Sequence, residues 1–541
     1  MRLGRLVHAA WVAGSRPRSK SFARALLDPE NAQLAILKRL VRSNARCAFG
    51  VEHGFGRVDG PERFRRSAPI ASWADVEPWV DRIRRGERAV LTREPALRLV
   101  PTGGSSRGPK LVPWTRGLGA EFARAIAPWI VDLNERFPTL RDGPAYWSVS
   151  PAIDLHVESR VPVGFDDDAA YLGGPLRHIA RRTLAVGGEI ARIRSVETFQ
   201  WTTLLLLLRA RELRLISVWH PSFLVLLLDR LPAWWDGLLE DLERGTLSPP
   251  GGLDDATRRV LAPCVRPAPR RARELRTVVP GAPCGIWPRL SVVSCWTDAH
   301  AARAVPALAR LVPQARIEPK GLVATEAIAS VPFGGRRPVA VTSHFFEFLD
   351  DSGRPLLLHE LRDGAEYVVV VTTAGGLWRY RLGDRVRVEG FAGRTPSLRF
   401  LGREDAVSDR VGEKLCDAQV AAALRDVLEG FVSATFAMVA PDGDADRPRY
   451  TLYLEVDGEI PAGLAPRLDQ ALAANPYYAH ARRFGQLAPV AVFRIDAGAR
   501  GAYAHACASL GRKLGSVKEI ALSPRSGWTE VFDGDYVREP C

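Results

Sequence analysis

The apolar residues of this chain change period along its length, and that change limits what it can fold into. Between about 200 and 245, Leu and Trp crowd together in runs such as Leu204–Leu208 and Phe223–Leu228, which read as two or three buried helices. Beyond 285 the apolar residues come in short, β-rich runs, Leu290–Cys295, Val339–Thr342 and Tyr367–Thr372, which read as strands. At 541 residues the chain exceeds what one hydrophobic core accommodates, so an α/β chain of two or more domains is expected. None of the apolar runs approaches the ~20 residues needed to span a bilayer, so no membrane insertion is expected. Met1–Gly14 leads through His8 to Arg16-Pro17-Arg18 and reads as a helix or arm, not a signal peptide.

Local signals add detail. The first hundred residues read as mainly helical. Ser72–Asp75 is a capping box, with Val76, Val80 and Ile83 on one face behind it and Gly86 as the stop. Leu97–Val100 reads as a strand, Thr102–Lys110 as a small-residue loop, and the chain from Gly117 as a helix. Pro249–Gly252 and Arg266–Arg276 read as surface connections. Gly375-Gly376 turns the chain into Leu377–Leu382, and Arg385–Glu389 alternates as a half-exposed strand does. Beyond a loop at Gly402–Asp405, the segments Gln419–Leu428, Arg449–Val456 and Val490–Arg494 mix helix and strand in a stretch long enough for a small α/β domain. The expected cut gives a large domain over 1–402 and a small one over 403–541.

Composition narrows the function. With 46% apolar residues the chain folds rather than staying disordered. The net charge of +14 invites a nucleic-acid reading, but the cations are scattered among 61 acids with no long basic run, so no nucleic acid is expected. Only seven of the 75 cations are Lys, which makes each Lys in a suggestive place informative. The seven Cys form no Cys-x-x-Cys, which points to a reducing compartment, the cytoplasm, and away from a zinc site.

Five segments carry residues suited to chemistry. In Thr102–Lys110, three glycines admit an anion close to the backbone. Thr102, Ser105 and Ser106 offer hydroxyls to phosphate, and Lys110 adds charge. The loop lacks a Walker ending, and a flexible turn has the same composition. Gly321–Ala327 is an apolar strand ending in Thr325-Glu326, whose carboxylate suits Mg²⁺ or a solvated surface position. A strand through Trp378 delivers Gly383 and Asp384 into a turn, where the carboxylate either accepts ribose hydroxyls or shapes the turn. Arg403 and Asp405 sit where a hinge or a plain linker belongs. Lys518, with Lys513 nearby, lies in a C-terminal loop, catalytic or merely solvated.

Taken in order, these segments resemble the acyl acid–amido synthetase family, whose plant members conjugate auxin, jasmonate or benzoates to amino acids, within the adenylate-forming superfamily. The likeness starts at Phe64–Thr92 and continues through Lys110–Thr115, Trp147–Pro151 and Val218–Ser222 to Lys518, covering most of the chain. It implies a firefly luciferase-like α/β fold: a large N-terminal domain of sheets, a small barrel and helices, and a small mobile C-terminal α/β domain. It implies that Thr102, Gly103, Gly104, Ser105, Ser106 and Gly108 cradle the phosphates of ATP beside Lys110. It further implies that Thr325 and Glu326 form the nucleotide and Mg²⁺ segment, that Asp384 holds ribose, that Arg403 and Asp405 belong to the hinge, and that Lys518 is the catalytic lysine. ATP and Mg²⁺ are then the expected cofactors, a small carboxylic acid and an amino acid or other amine the expected partners, and a monomer the expected state. An acyl-CoA ligase and a catalytically weak nucleotide-binding relative are the alternatives. Leu322, Val323, Ala327 and Ser516 depart from the family's usual Tyr, Gly, Gly and Gln, while Arg107 adds a cation to the loop. Trp147, Trp219 and Phe345 suit an apolar or aromatic acid, and His220 and His344 are each either a base or a structural histidine.

Overall fold

A computed structural model describes residues 2–102, 110–148, 158–164, 183–193, 195–280, 282–404, 407–429, 434–444, 447–510 and 517–537. Helices dominate the start of the chain. Arg2–Ala25 packs along the helix Arg116–Arg136, and Trp73–Arg84 begins at the Ser72–Asp75 capping box with Val76, Val80 and Ile83 buried. The strands Arg98–Pro101 and Leu111–Trp114 pair antiparallel around the loop, and Thr102 N–H donates to the Lys110 carbonyl at its neck (2.9 Å).

A four-stranded parallel sheet runs in the order Ala145–Trp147, Leu215–Ser217, Val292–Cys295, Arg316–Pro319. Alternate residues feed two cores: Ala145, Leu215 and Val292 face one, Tyr146, Ile216 and Val293 the other. Burial on both faces explains why these strands lack polar alternation. The helices Val196–Arg209, Pro221–Leu228 and Leu231–Arg244 fill the second core as their density of Leu and Trp dictates, but Leu215–Ser217 between them is a strand too short to stand out from that background.

A second sheet, five-stranded and antiparallel, has the order Thr395–Arg403, Tyr380–Ala392, Glu366–Thr372, Phe345–Leu349, Pro355–Leu356. It stands where the small barrel is expected. From Leu415 onward the chain builds cores of its own around a four-stranded sheet, Ala434–Asp442, Arg449–Val456, Ala491–Ile495 and Gly534–Tyr536. The helices Asp417–Val427, Leu464–Leu472 and Pro476–Arg483 cover one face, and Ala499–Ser509 covers the other. No helix among the described residues is long and apolar enough to cross a membrane.

Several expectations need correction. Val339–Thr342 is not a continuous strand: Val339 N–H and Ala340 N–H reach the Pro396 and Ala329 carbonyls in an isolated bridge, and from Val341 on the N–H groups of Val341 and Ser343 turn back to the Val339 and Ala340 carbonyls. Arg266–Arg276 contains a helix, Pro269–Leu275, started by a proline whose missing N–H costs nothing there and anchored by the buried Ala272 and Leu275. Asp384 lies inside the strand Tyr380–Ala392, not in a turn: Gly383, at φ 78°, takes up a register break against the neighbouring strand. The loop expected at Gly402 is likewise the end of a strand. Gly402 has φ 153°, and a Cβ there would meet Ala418 Cα at 2.8 Å, so the small lobe's first helix seats directly against it.

Candidate active site

Ligands of open parallel sheets bind outside the carboxyl ends of the strands. Here those ends carry Trp147-Ser148, Val218-Trp219-His220, Trp296 and Lys320. The Trp219 and Trp296 rings lie 5.5 Å apart, and Trp147 lies 5.9 Å from Trp129. Lys320 is buried among them. Its ammonium donates to Ser217 Oγ (2.7 Å) and the Val218 carbonyl (3.0 Å) and lies 4.5 Å from the Trp219 centroid. Sequence reasoning passed over Lys320, although its scarcity as a residue type was the available signal.

Gly321 leads from Lys320 into a tight turn. Val323 bridges Ile328, and Ala324 N–H donates to the Ala327 carbonyl, so Thr325-Glu326 forms the tip of a turn rather than the end of a strand. Glu326 is buried and accepts no hydrogen bond among the described residues. The turn is held from behind. His344 Nε2 accepts from Ile328 N–H (3.2 Å), and His344 Nδ1–H donates to Glu121 (2.8 Å), which also accepts from Ala374 N–H (2.9 Å). Both nitrogens of His344 are therefore committed, and the residue is structural.

On the antiparallel sheet, Lys110 Nζ donates to the Tyr380 hydroxyl (3.2 Å), on the strand that carries Asp384. Asp384 is buried opposite Arg403 in register, their charged atoms 3.7 Å apart, and Arg403 also donates to the Leu382 carbonyl (3.1 Å). Thr102 stands at the loop's neck with a buried hydroxyl oxygen. Gly103, Gly104, Ser105, Ser106, Arg107 and Gly108 of the phosphate-loop reading lie outside the described residues, as do Asp405 and Lys513.

The small lobe reaches this site through Lys518, whose ammonium lies 4.2 Å from the Trp296 centroid. Lys518, Trp296, Trp219 and Lys320 thus form one row, two mutually tilted indoles between two cations. Behind it, His220 Nδ1 lies 2.6 Å from the Ser222 hydroxyl, and burial pulls the imidazole down to about 3, helped by the charges of Lys518 and Arg500. His220 is neutral at neutral pH.

Two lobes, a parallel sheet with its carboxyl ends facing a lysine from the smaller lobe, and an antiparallel sheet beside them define the fold of the acyl acid amido synthetases. The solved structure of AtGH3.15 acyl acid amido synthetase in complex with 2,4-DB superposes with a TM-score of 0.82 at 18% identity, covering 96% of both chains. The chain matches the GH3 family N-terminal domain over residues 18–317, the central domain over 338–403 and the C-terminal domain over 416–524. It belongs to the GH3 family. Among its relatives are a probable indole-3-acetic acid-amido synthetase of Oryza sativa subsp. japonica (24% identical, spanning 85% of this chain and 86% of the relative) and the jasmonoyl–L-amino acid synthetase JAR6 of Nicotiana attenuata (23%, 80% of each).

Proposed function

We propose that this protein is an ATP-dependent acyl acid–amido synthetase, and that residues 1–402 and 403–541 are its large and small domains. Lys518 carries the reading: a cation borne by the small lobe stands at the carboxyl ends of the large lobe's parallel sheet. In the first step a carboxylate oxygen of the acid attacks the α-phosphorus of ATP and pyrophosphate leaves. In the second an amine nitrogen attacks the acyl carbon, AMP leaves with the bonding pair, and the amine gives up a proton.

The first step joins two anions, so its barrier is chiefly a matter of positioning and charge compensation. Lys518 supplies a cation to the phosphoryl oxygens as negative charge spreads over them. Lys110 and the loop from Thr102 to Gly108 hold the polyphosphate, Asp384 the ribose, and Arg403 with Asp405 the hinge about which the small domain turns between steps. Glu326, a buried carboxylate with no protein donor among the described residues, fits a Mg²⁺ ion beside Thr325, and that ion when bound would neutralise phosphate charge. The indoles of Trp129, Trp147, Trp219 and Trp296 suit an aromatic or apolar acid and keep water from the hydrolysable anhydride.

The decisive experiment mixes enzyme, ATP and Mg²⁺ with aryl, indole and fatty acids, each with the amino-acid set or with CoA, and reads pyrophosphate release and product mass. Acyl–amino acid products are expected. Thioester products would make it a CoA ligase instead, and no pyrophosphate with any acid would make it a nucleotide-binding relative.

A further inference from the structure

Trp296 is fixed to the large lobe on both sides. Its N–H donates to the Trp219 carbonyl (2.8 Å), which carries the pairing of the strands Leu215–Ser217 and Val292–Cys295 one step past their ends. Two residues on, Asp298 accepts from Arg337 (2.6 Å) and from Phe400 N–H (3.1 Å), so the chain is tied to the strand that ends at Arg403. Behind the Trp296 ring stands Trp219, itself braced by Lys320 at 4.5 Å from its centroid. The Lys518 segment is fixed as firmly to the small lobe. Tyr503 donates its hydroxyl to the Lys518 carbonyl (2.9 Å), and Asp417 accepts from Ala521 N–H (2.9 Å) and Leu522 N–H (3.0 Å). Where the two frames face each other, the Lys518 ammonium lies 4.2 Å from the Trp296 centroid.

We propose that Trp296 is a positioning residue for Lys518, an indole seat on the large lobe that holds the small lobe's ammonium at the carboxyl ends of the parallel sheet for adenylate formation. The kinetic consequence rests on the amido synthetase reading; the contact itself does not. The chemistry explains why an indole suits the task. A carboxylate would hold the ammonium more tightly, but it would also cancel the charge that the phosphoryl oxygens need. A ring face attracts a cation through its quadrupole and carries no net charge, so Lys518 is oriented and remains a full cation. The attraction is also modest, because Lys518 is exposed, and the seat is easily left. Each partner is held by its own frame, so a turn of the small lobe separates them, and the contact marks one arrangement of the lobes. Lys320 and Trp219 serve the seat from behind by keeping its ring in place.

A double-mutant cycle on the full-length enzyme tests the pairing. Trp296→Leu should lower kcat for adenylate formation about two- to fivefold, the scale of an exposed cation–π contact, and Trp296→Tyr, which keeps a ring face, should restore most of it. In the Lys518→Ala background Trp296→Leu should cause no further loss, because the interaction it removes is already gone. Equal losses in both backgrounds would make Trp296 a wall of the acid pocket and overturn the seat. A second measurement is independent of activity and of how the Trp296 variants fold. Protein labelled with 5-fluorotryptophan gives a fluorine NMR resonance for Trp296, identified by its absence in Trp296→Phe. Lys518→Met keeps the apolar stem and drops the charge, and should shift that resonance; Lys414→Met, an exposed position on the same lobe, should not. A resonance unmoved by Lys518→Met overturns the seat even in an active enzyme. A shifted resonance in a protein that forms no adenylate keeps the seat and removes the amido synthetase reading instead.

Discussion

Two buried carboxylates, Glu347 and Glu519, solve the same electrostatic problem with opposite consequences. Glu347, in the strand Phe345–Leu349, accepts from Arg379 Nε (2.7 Å) and from Arg65 Nε (2.9 Å). Arg379 also donates to the Ala68 carbonyl (2.8 Å), so the cluster rivets the N-terminal helices to the antiparallel sheet within one lobe. Glu519 is buried beside the Arg500 guanidinium of its own lobe (2.9 Å). Either carboxylate would be prohibitive to bury alone. The difference lies in where each pair sits: Glu347 ties elements together inside one lobe, whereas Glu519 is held next to Lys518, whose ammonium touches Trp296 of the other lobe. A buried ion pair thus fixes either a lobe's interior or the residue beside its boundary.

The comparison breaks first at the rivet. Glu347→Gln should cost about 3–5 kcal/mol, because the Arg379 guanidinium remains buried without its counter-charge. A thermal melt should show the loss, with both half-reactions falling together as folded protein is lost; an unchanged melting temperature would mean Glu347 is no rivet. Lys518→Ala should leave the melt alone and slow adenylate formation by about 10²–10³, the usual loss for one preorganised donor to developing charge. Equal losses in both half-reactions would take Lys518 out of the proposed role.

Acid should weaken the fold in a direction that the buried His220 sets. Burial holds His220 near 3, below its ordinary 6.5, so the folded chain refuses a proton that the unfolded chain accepts. That contribution is fully present above pH 6.5 and drains away as the pH falls toward 3, amounting to about 2 kcal/mol lost by pH 5. Denaturant titrations at pH 7 and pH 5 should show this slope in the wild type and a flatter one in His220→Asn. Matching slopes would place the acid sensitivity in other groups.

How much of this was legible beforehand depended on whether the signal was local. The Ser72 capping box and the strand Arg449–Val456 are written in neighbouring residues and could be read there. The partners of His344 and Glu519 could not: Glu121 lies 223 residues from His344, and nothing in either neighbourhood marks the pairing. Asp384 failed in a third way. A Gly-Asp pair usually shapes a turn, and only the register with the strand ending at Arg403 shows that the glycine makes a bulge within a longer strand. Lys320 was open to inference from its rarity, but its burial among indoles comes from strands that meet only in the fold.

Asp384 is the subtlest case of the comparison, because its salt-bridge partner, Arg403, sits at the junction between the lobes. If it is a ligand group, Asp384→Ala should weaken ATP binding about tenfold, the scale of one hydrogen bond to a charged acceptor, and leave acid affinity unchanged. If instead it only restrains Arg403, 3.7 Å away, Arg403→Gln should reproduce the whole phenotype. Titration calorimetry with a non-hydrolysable ATP analogue separates the two. Weak nucleotide binding in Asp384→Ala with near-normal binding in Arg403→Gln assigns the carboxylate to ribose. Unchanged nucleotide affinity in Asp384→Ala, with a lowered melting temperature, would make Asp384 a second rivet like Glu347 and leave the ribose to other groups.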